Sequence, residues 1–298
     1  MFGYRQRWRT HLAGEEDTMS SALAVSHGGF GRAAIYAHDR PMITHAHREG
    51  HLIFRISGAP ATVKVGSVSV DCDGSMAAAV SPWEPHSFSF QEDAPCVTLV
   101  LYIKPMWFLE NSGSADYALN FGTCRVPLSG DLPSLVRKLT ALMLEDSGDI
   151  NVETILIELA KRCYEVSWKD RQRPCSAIHR RRFSDFRVRR SQELMKSYLS
   201  CHNGLDALAQ EVGLSRPHFF KLFKKQTGVT PNIYFNTLRA EQAIEDLTAS
   251  RKSVTDIAYD LGFASQASFT RFFSQNVGIA PSDYRRTAQT ISHRDLAT

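Results

Sequence analysis

The chain has 298 residues, 43% of them hydrophobic and 22% charged, which is enough for two ordinary domains with real cores and excludes a short disordered or disulfide-stapled peptide. Net charge is only +4, but residues 1–168 hold 14 basic and 19 acidic side chains while residues 169–298 hold 21 and 12. A first part at −5 and a second at +9 suggest that only the second is built to meet a polyanion.

Residues 1–29 read as a loose tail. Arg5, Arg7 and Arg9 precede Gly14-Glu15-Glu16-Asp17 with no apolar leader, and nowhere is there a run of about 20 apolar residues that could cross a bilayer. Cys72, Cys96, Cys124, Cys163, Cys175 and Cys201 lack any CxxC or other close pairing, so a reducing, cytoplasmic setting is expected. From Ala33 to about Ile103 short apolar runs (His51–Ser57, Ala61–Val65, Val68–Val70, Cys96–Ile103) alternate with Gly and Pro, which predicts a β-sandwich or barrel, bounded here at 30–130.

Over 131–168 the period changes. Leu132, Leu135, Val136, Leu139, Leu142 and Met143, then Val152, Ile155, Leu159 and Val166, recur at helical spacing, and Ser147-Gly148-Asp149 divides them into two helices. Residues 169–186 read as a basic linker, part of a stretch from Lys169 to Arg190 with nine Lys/Arg against Asp170 and Asp185.

The segment 187–290 contains an internal repeat, followed by a tail at 291–298. Leu205, Leu208, Ala209 and Val212 precede Gly213; Val254, Ile257, Ala258 and Leu261 precede Gly262. Each set is a short amphipathic helix stopped by glycine, and Ser253 with Asp256 predicts a capping box on the second. A second helix follows each turn, with Phe219, Leu222 and Phe223 inward in one copy and Phe269, Phe272 and Phe273 in the other, so the chain carries two helix-turn-helix units. The helix between them, roughly Pro231 to Thr248, would hold two recognition helices near the spacing of successive major-groove segments. The outward residues include Arg216, His218, Phe220, Lys221 and Lys225, then Gln266, Ser268, Thr270 and Arg271. Arg and Lys can donate to guanine, Gln can pair with adenine, and Thr or Phe can touch the thymine methyl.

Ala209-x3-Gly213-Leu-Ser215, Phe219-x2-Leu222-Phe223-Lys224-x3-Gly228-x2-Pro231 and Asp256-Ile-Ala258-x3-Gly262-Phe263-x2-Gln266-x2-Phe269-x-Arg271-x-Phe273-x4-Gly278-x2-Pro281-x2-Tyr284-Arg285 resemble the DNA-binding domain of AraC-type transcriptional regulators. That resemblance implies base contacts from Phe220, Lys221, Gln266, Thr270 and Arg271. Further upstream, His45-Ala-His47-x3-His51-x6-Gly58 and Pro82-Trp-Glu-Pro-His86 resemble the two motifs of cupin barrels, which such regulators carry as effector domains. The cupin resemblance implies that His45, His47, His51 and His86 converge, either on a divalent metal or as a metal-free hydrogen-bonded lining. His45, His47, His51, Ile53 and Arg55 share strand parity, so Arg55 is expected inside the barrel. There it would clamp the carboxylate of a small effector with Trp83 as an apolar wall, or pair with Glu49 or Glu84.

The combined expectation is a β-then-α protein with a cupin-like barrel, two helices that pair subunits or pack on their own barrel, and a double helix-turn-helix domain. Its expected partners are double-stranded DNA, a small effector, a second copy of itself and, if it activates, RNA polymerase. No cofactor is required and no membrane is involved. The rival readings are a metal-dependent cupin dioxygenase or isomerase fused to a DNA-binding domain, and a metal or metalloid sensor.

Overall fold

A computed structural model of the chain describes residues 20–90, 95–112, 119–145, 150–169, 185–200 and 204–292. Ten strands come first: β1 (Ser21–Gly28), β2 (Gly31–His38), β3 (Met42–His45), β4 (Gly50–Gly58), β5 (Ala61–Val65), β6 (Val68–Cys72), β7 (Met76–Val80), β8 (His86–Phe90), β9 (Cys96–Ile103) and β10 (Arg125–Pro127). They form two antiparallel sheets, β1-β2-β9-β4-β7-β10 and β3-β8-β5-β6. No ladder joins the sheets among the described residues, so the expected barrel takes the form of two facing sheets. Strand β1 corrects the expectation of a tail as far as residue 29. Its small residues give little strand signal alone, and the element exists because it pairs with β2 from Ser21↔Ala37 to Gly28↔Gly31.

Every residue of β9 is buried, because its sheet is covered on both faces. On one side Tyr36, Ile53, Val80, Val100 and Tyr102 meet Val63 and Phe88 of the second sheet. Against the other side, Ile35, Leu52, Phe54, Leu99 and Leu101 pack on α2 (Leu132–Glu145) and α3 (Ile150–Lys169), through Val136, Leu139, Leu156 and Leu159. The two helices therefore spend one apolar face on their own sheet, after the short α1 (Pro105–Ser112). Cys72, Cys96, Cys124 and Cys163 are buried, and burial pushes the Cys72 thiol up to about 12. Cys175, Cys201 and most of the basic linker lie outside the described residues.

The second half is helical: α4 (Phe186–Met195), α5 (Gly204–Glu211), α6 (Arg216–Thr227), α7 (Pro231–Ala249), α8 (Val254–Asp260), α9 (Gln266–Val277) and α10 (Pro281–Ser292). The expected capping box is present on α8: Ser253 Oγ accepts from Asp256 N at 3.0 Å, and the Asp256 carboxylate accepts from Ser253 N at 3.1 Å. Helix α7 serves two cores. Its Phe235 and Leu238 belong with Phe219 and Phe223 of the first unit, while Ala240, Ala243 and Leu247 join Phe269, Phe273 and Tyr284 of the second. That second core is continuous with the space between the sheets, where it meets Val25, Tyr36 and Tyr102.

Candidate nucleic-acid interface and histidine pocket

The tight turns that set the recognition helices follow from two glycines in the left-handed region, Gly213 (φ 70°) and Gly262 (φ 75°). Phe219 and Phe223 in α6, and Phe269 and Phe273 in α9, are buried as the spacing predicts. Turned away from them are the exposed side chains of Arg216, His218, Lys221 and Lys225 in α6 and of Gln266, Ser268 and Arg271 in α9, with Thr270 half-buried. Phe220 is also half-buried rather than exposed: it meets Phe219 edge-on at 6.0 Å, and the Arg216 guanidinium lies 5.0 Å from its ring centre. An unexplained apolar group on a polar face is thus replaced by an aromatic shelf under a cation.

The sheet half leaves this face open. It docks instead on the far ends of the helix-turn-helix units, where α10 lies along β1 and Gly278 approaches Met42 and His38. Thr237 of α7 donates to Ala46 O at 2.9 Å, Arg48 pairs with Glu241 at 3.1 Å, and Trp83 stacks parallel on Tyr234 with ring centres 4.3 Å apart. Trp83 holds φ at 63°, so a strained backbone carries this stacking partner. It is a seam residue, and the expectation that it walls the pocket is corrected.

The four histidines do gather. Ring centres of His45 and His86 lie 4.4 Å apart, His45 and His47 4.9 Å, and His47 and His51 4.6 Å. His45 Nδ1 and His86 Nδ1 are each tied to a backbone carbonyl, of Ile43 at 2.6 Å and Glu84 at 3.0 Å, which leaves each Nε2 as the electron-pair donor. His47 Nε2 and His86 Nε2 are buried without a hydrogen-bond partner. Burial lowers the pKa of all four rings, so they are neutral. Nitrogens of His45, His47 and His86 lie within 4.8 Å of one another; His51, expected as a fourth ligand, falls outside this group, stacking on His47 and meeting Tyr102 edge-on. His45, His51 and His86, together with Tyr36, His38, Phe88 and Tyr102, line a cleft whose enclosed part has room for a water-sized guest.

Arg55 is not the cation of this cleft. It sits at the end of β4, where backbone carbonyls of Gly58, Ala59 and Asp73 accept its N–H groups. Strand parity was sound, but a long side chain at a strand end reaches the turns instead of the interior. The buried arginine is Arg32, 7% exposed, with its guanidinium carbon 3.6 Å from the Tyr102 ring centre. Arg32 Nη1 donates to Tyr284 Oη at 3.1 Å, and that hydroxyl lies 3.0 Å from His27 Nε2. Among the described residues no carboxylate is within ion-pairing distance of Arg32. The sequence does carry a signal for it, a lone charge in the small apolar run Gly31-Arg-Ala-Ala-Ile35.

A helix-turn-helix domain family matches residues 208–287. Over 82 residues the chain is 40% identical to the transposon Tn10 TetD protein of Escherichia coli, spanning 28% of this chain and 59% of TetD. Over 81 residues it is 41% identical to the HTH-type transcriptional activator RhaS of Escherichia coli, spanning 27% of this chain and 29% of RhaS. Both matches cover less than two thirds of the relative. The crystal structure of ToxT from Vibrio cholerae O395 is similar over 86% of this chain and 97% of ToxT, with a TM-score of 0.53 at 14% identity, a likeness of fold. ToxT bound to (E)-4-(8-methylnaphthalen-1-yl)but-3-enoic acid is similar over 91% and 98%, with a TM-score of 0.50 at 15% identity.

Proposed function

We propose that this chain is a sequence-specific DNA-binding transcriptional regulator of the AraC type, whose sheet half takes a small effector; the match of residues 208–287 to a helix-turn-helix domain family supports it. The observation that carries this reading is the pair of exposed, polar recognition faces joined by α7, which at about 1.5 Å per residue is about 28 Å long. That length suits two heads on neighbouring major-groove segments, about 34 Å apart. Footprinting on genomic DNA with and without candidate metabolites tests it: protected sites whose occupancy responds to a metabolite are expected, and the absence of any protected site would overturn the reading.

The acid bound by ToxT suggests an effector with a carboxylate here. Arg32 supports that class, as a buried guanidinium without an acidic neighbour among the described residues. Since the enclosed part of the cleft has room only for a water-sized guest, an organic effector has to widen it, and a shift of the lining ring of Tyr102 would carry along Arg32, which lies on that ring, and strain its bond to Tyr284 in the seam. In this reading two copies act together, with the half-buried Leu142, Ile155 and Ile157 of α2 and α3 as the contact, and RNA polymerase joins if the chain activates.

A second reading rests on the partnerless imidazole nitrogens. A divalent metal fits the three-histidine group by size and by donor type, held by His45, His47 and His86. Bound there, it would supply a charge that fixes the three rings. The relatives are regulators, so its effect would be on DNA affinity rather than on turnover. Elemental analysis with chelation tests this: stoichiometric metal lost in the His45→Ala/His86→Ala double variant supports it, and metal-free protein with chelator-insensitive DNA binding removes it.

A further inference from the structure

Resting on the reading of the chain as a DNA-binding protein, we infer that the first helix of each helix-turn-helix unit carries a positioning residue that decides what its recognition helix reads: Asp206 acting on Arg216, and Thr255 acting on Gln266. Arg216 and Gln266 are each the first residue of a recognition helix. Asp206 follows Leu205 as Thr255 follows Val254, so the two stand at equivalent places in the repeat. A carboxylate oxygen of Asp206 accepts from Arg216 Nη1. Thr255 Oγ1 donates to Gln266 Oε1 at 2.6 Å. One link is an ion pair and the other a neutral hydrogen bond. What recurs is therefore the connection itself, made twice in one chain with different chemistry.

The direction of the Thr255 bond has a consequence for base identity. Reading adenine with a glutamine needs both ends of the amide at the base, Oε1 accepting from N6 and Nε2 donating to N7. Here Oε1 is turned back to α8, and the amide offers its Nε2 donors to the groove. Gln266 then prefers guanine O6/N7 or thymine O4 over adenine, where Nε2 would meet the N6 donor beside N7 and no acceptor is left for N6. In the first unit the carboxylate of Asp206 offsets the charge of Arg216 and steers its guanidinium over the Phe220 shelf. Arg216 accordingly adds less to phosphate attraction than Lys221 or Lys225, and its orientation is set before DNA arrives.

The test is in vitro selection from randomised duplexes with the full chain, comparing wild type, Gln266→Ala, Thr255→Val and Thr255→Ser. Gln266→Ala identifies the base pair that depends on this residue. At that pair the wild type is expected to select guanine or thymine. Thr255→Val should admit adenine there, with the original preference falling about five- to tenfold, and Thr255→Ser should restore it. The selected base is a ratio among bound sequences, so a lower yield of folded protein does not alter it. In the first unit, Asp206→Asn should steepen the dependence of log affinity on log salt by up to about 0.9, one recovered cation. Adenine at the Gln266-dependent pair, no pair that depends on Gln266, or a Thr255→Val profile identical to wild type would each overturn the positioning role. Failure of the wild type to select any motif would instead remove the DNA-binding reading on which it rests.

Discussion

Tyr284 helps to hold a buried positive charge in place through its hydroxyl, which takes a hydrogen bond from Arg32 and meets His27. Tyr284→Phe retains the ring and removes that acceptor, so it should cost about 1.5–3 kcal/mol in denaturant unfolding; a loss below about 0.5 kcal/mol would mean that Arg32 finds water instead. His38 has the opposite character, a ring kept neutral. Burial lowers its pKa from 6.5 to about 4, so between those values the unfolded chain takes up a proton that the folded chain refuses. Its contribution is complete above pH 6.5 and is lost as pH falls towards 4, about 3 kcal/mol in all. Denaturation against pH should therefore be less steep in that window in His38→Gln than in the wild type, the other buried histidines keeping their share of the slope. On the recognition face, Arg271→Ala should cost about 1–3 kcal/mol at one base pair, whereas Lys225→Ala should weaken all sequences alike and lower the salt slope; gel shifts at two salt concentrations separate them.

The two turn glycines share a backbone conformation but not a setting. A Cβ on Gly213 would meet open space, while one on Gly262 would fall 2.4 Å from Ser200 O. Gly213→Ala should thus cost only the left-handed penalty, about 1–2 kcal/mol, and Gly262→Ala distinctly more, as read from paired melting curves. These helices and turns were legible from the sequence because their determinants lie within a few residues: the i, i+3, i+4 spacing, the stop glycines and the Ser253–Asp256 box. Strand β1 was not, because Ala22 and Ala24 acquire their role only from β2 and α10. Nor could alternation distinguish Arg55 from Arg32. It assigns a face, and where a long side chain finds acceptors depends on turns that only the fold brings near. The resemblance raised the expectation that the histidines converge, and three of them, His45, His47 and His86, bring nitrogens together; His51 stands apart because it stacks on His47 and meets Tyr102 edge-on.

The seam between the halves was invisible along the chain, since Arg32 and Tyr284 are 252 positions apart. It joins the apolar space between the sheets to the second helix-turn-helix unit, whereas among the described residues the first unit's core includes only Ala46 from the sheet half. Calorimetry of the full chain should accordingly give one transition that includes the sheets and the second unit, and two well-separated transitions for those parts would contradict a shared core. Unequal anchoring also makes α7 a lever. Its carboxyl end lies in the core shared with the sheet half, while its amino end carries the first reading head and, among the described residues, meets the sheet half through the Trp83–Tyr234 stack, the Thr237 bond to Ala46 O and the Arg48–Glu241 pair, contacts that a tilt has to shift. A tilt of about 5° at the carboxyl end sweeps the far end of a helix of about 28 Å through about 2.5 Å. Against a rise of about 3.4 Å per base pair, that swing is most of one step along the duplex. A rearrangement no larger than a side chain's width in the sheet half is therefore enough to change whether both heads find their bases in register.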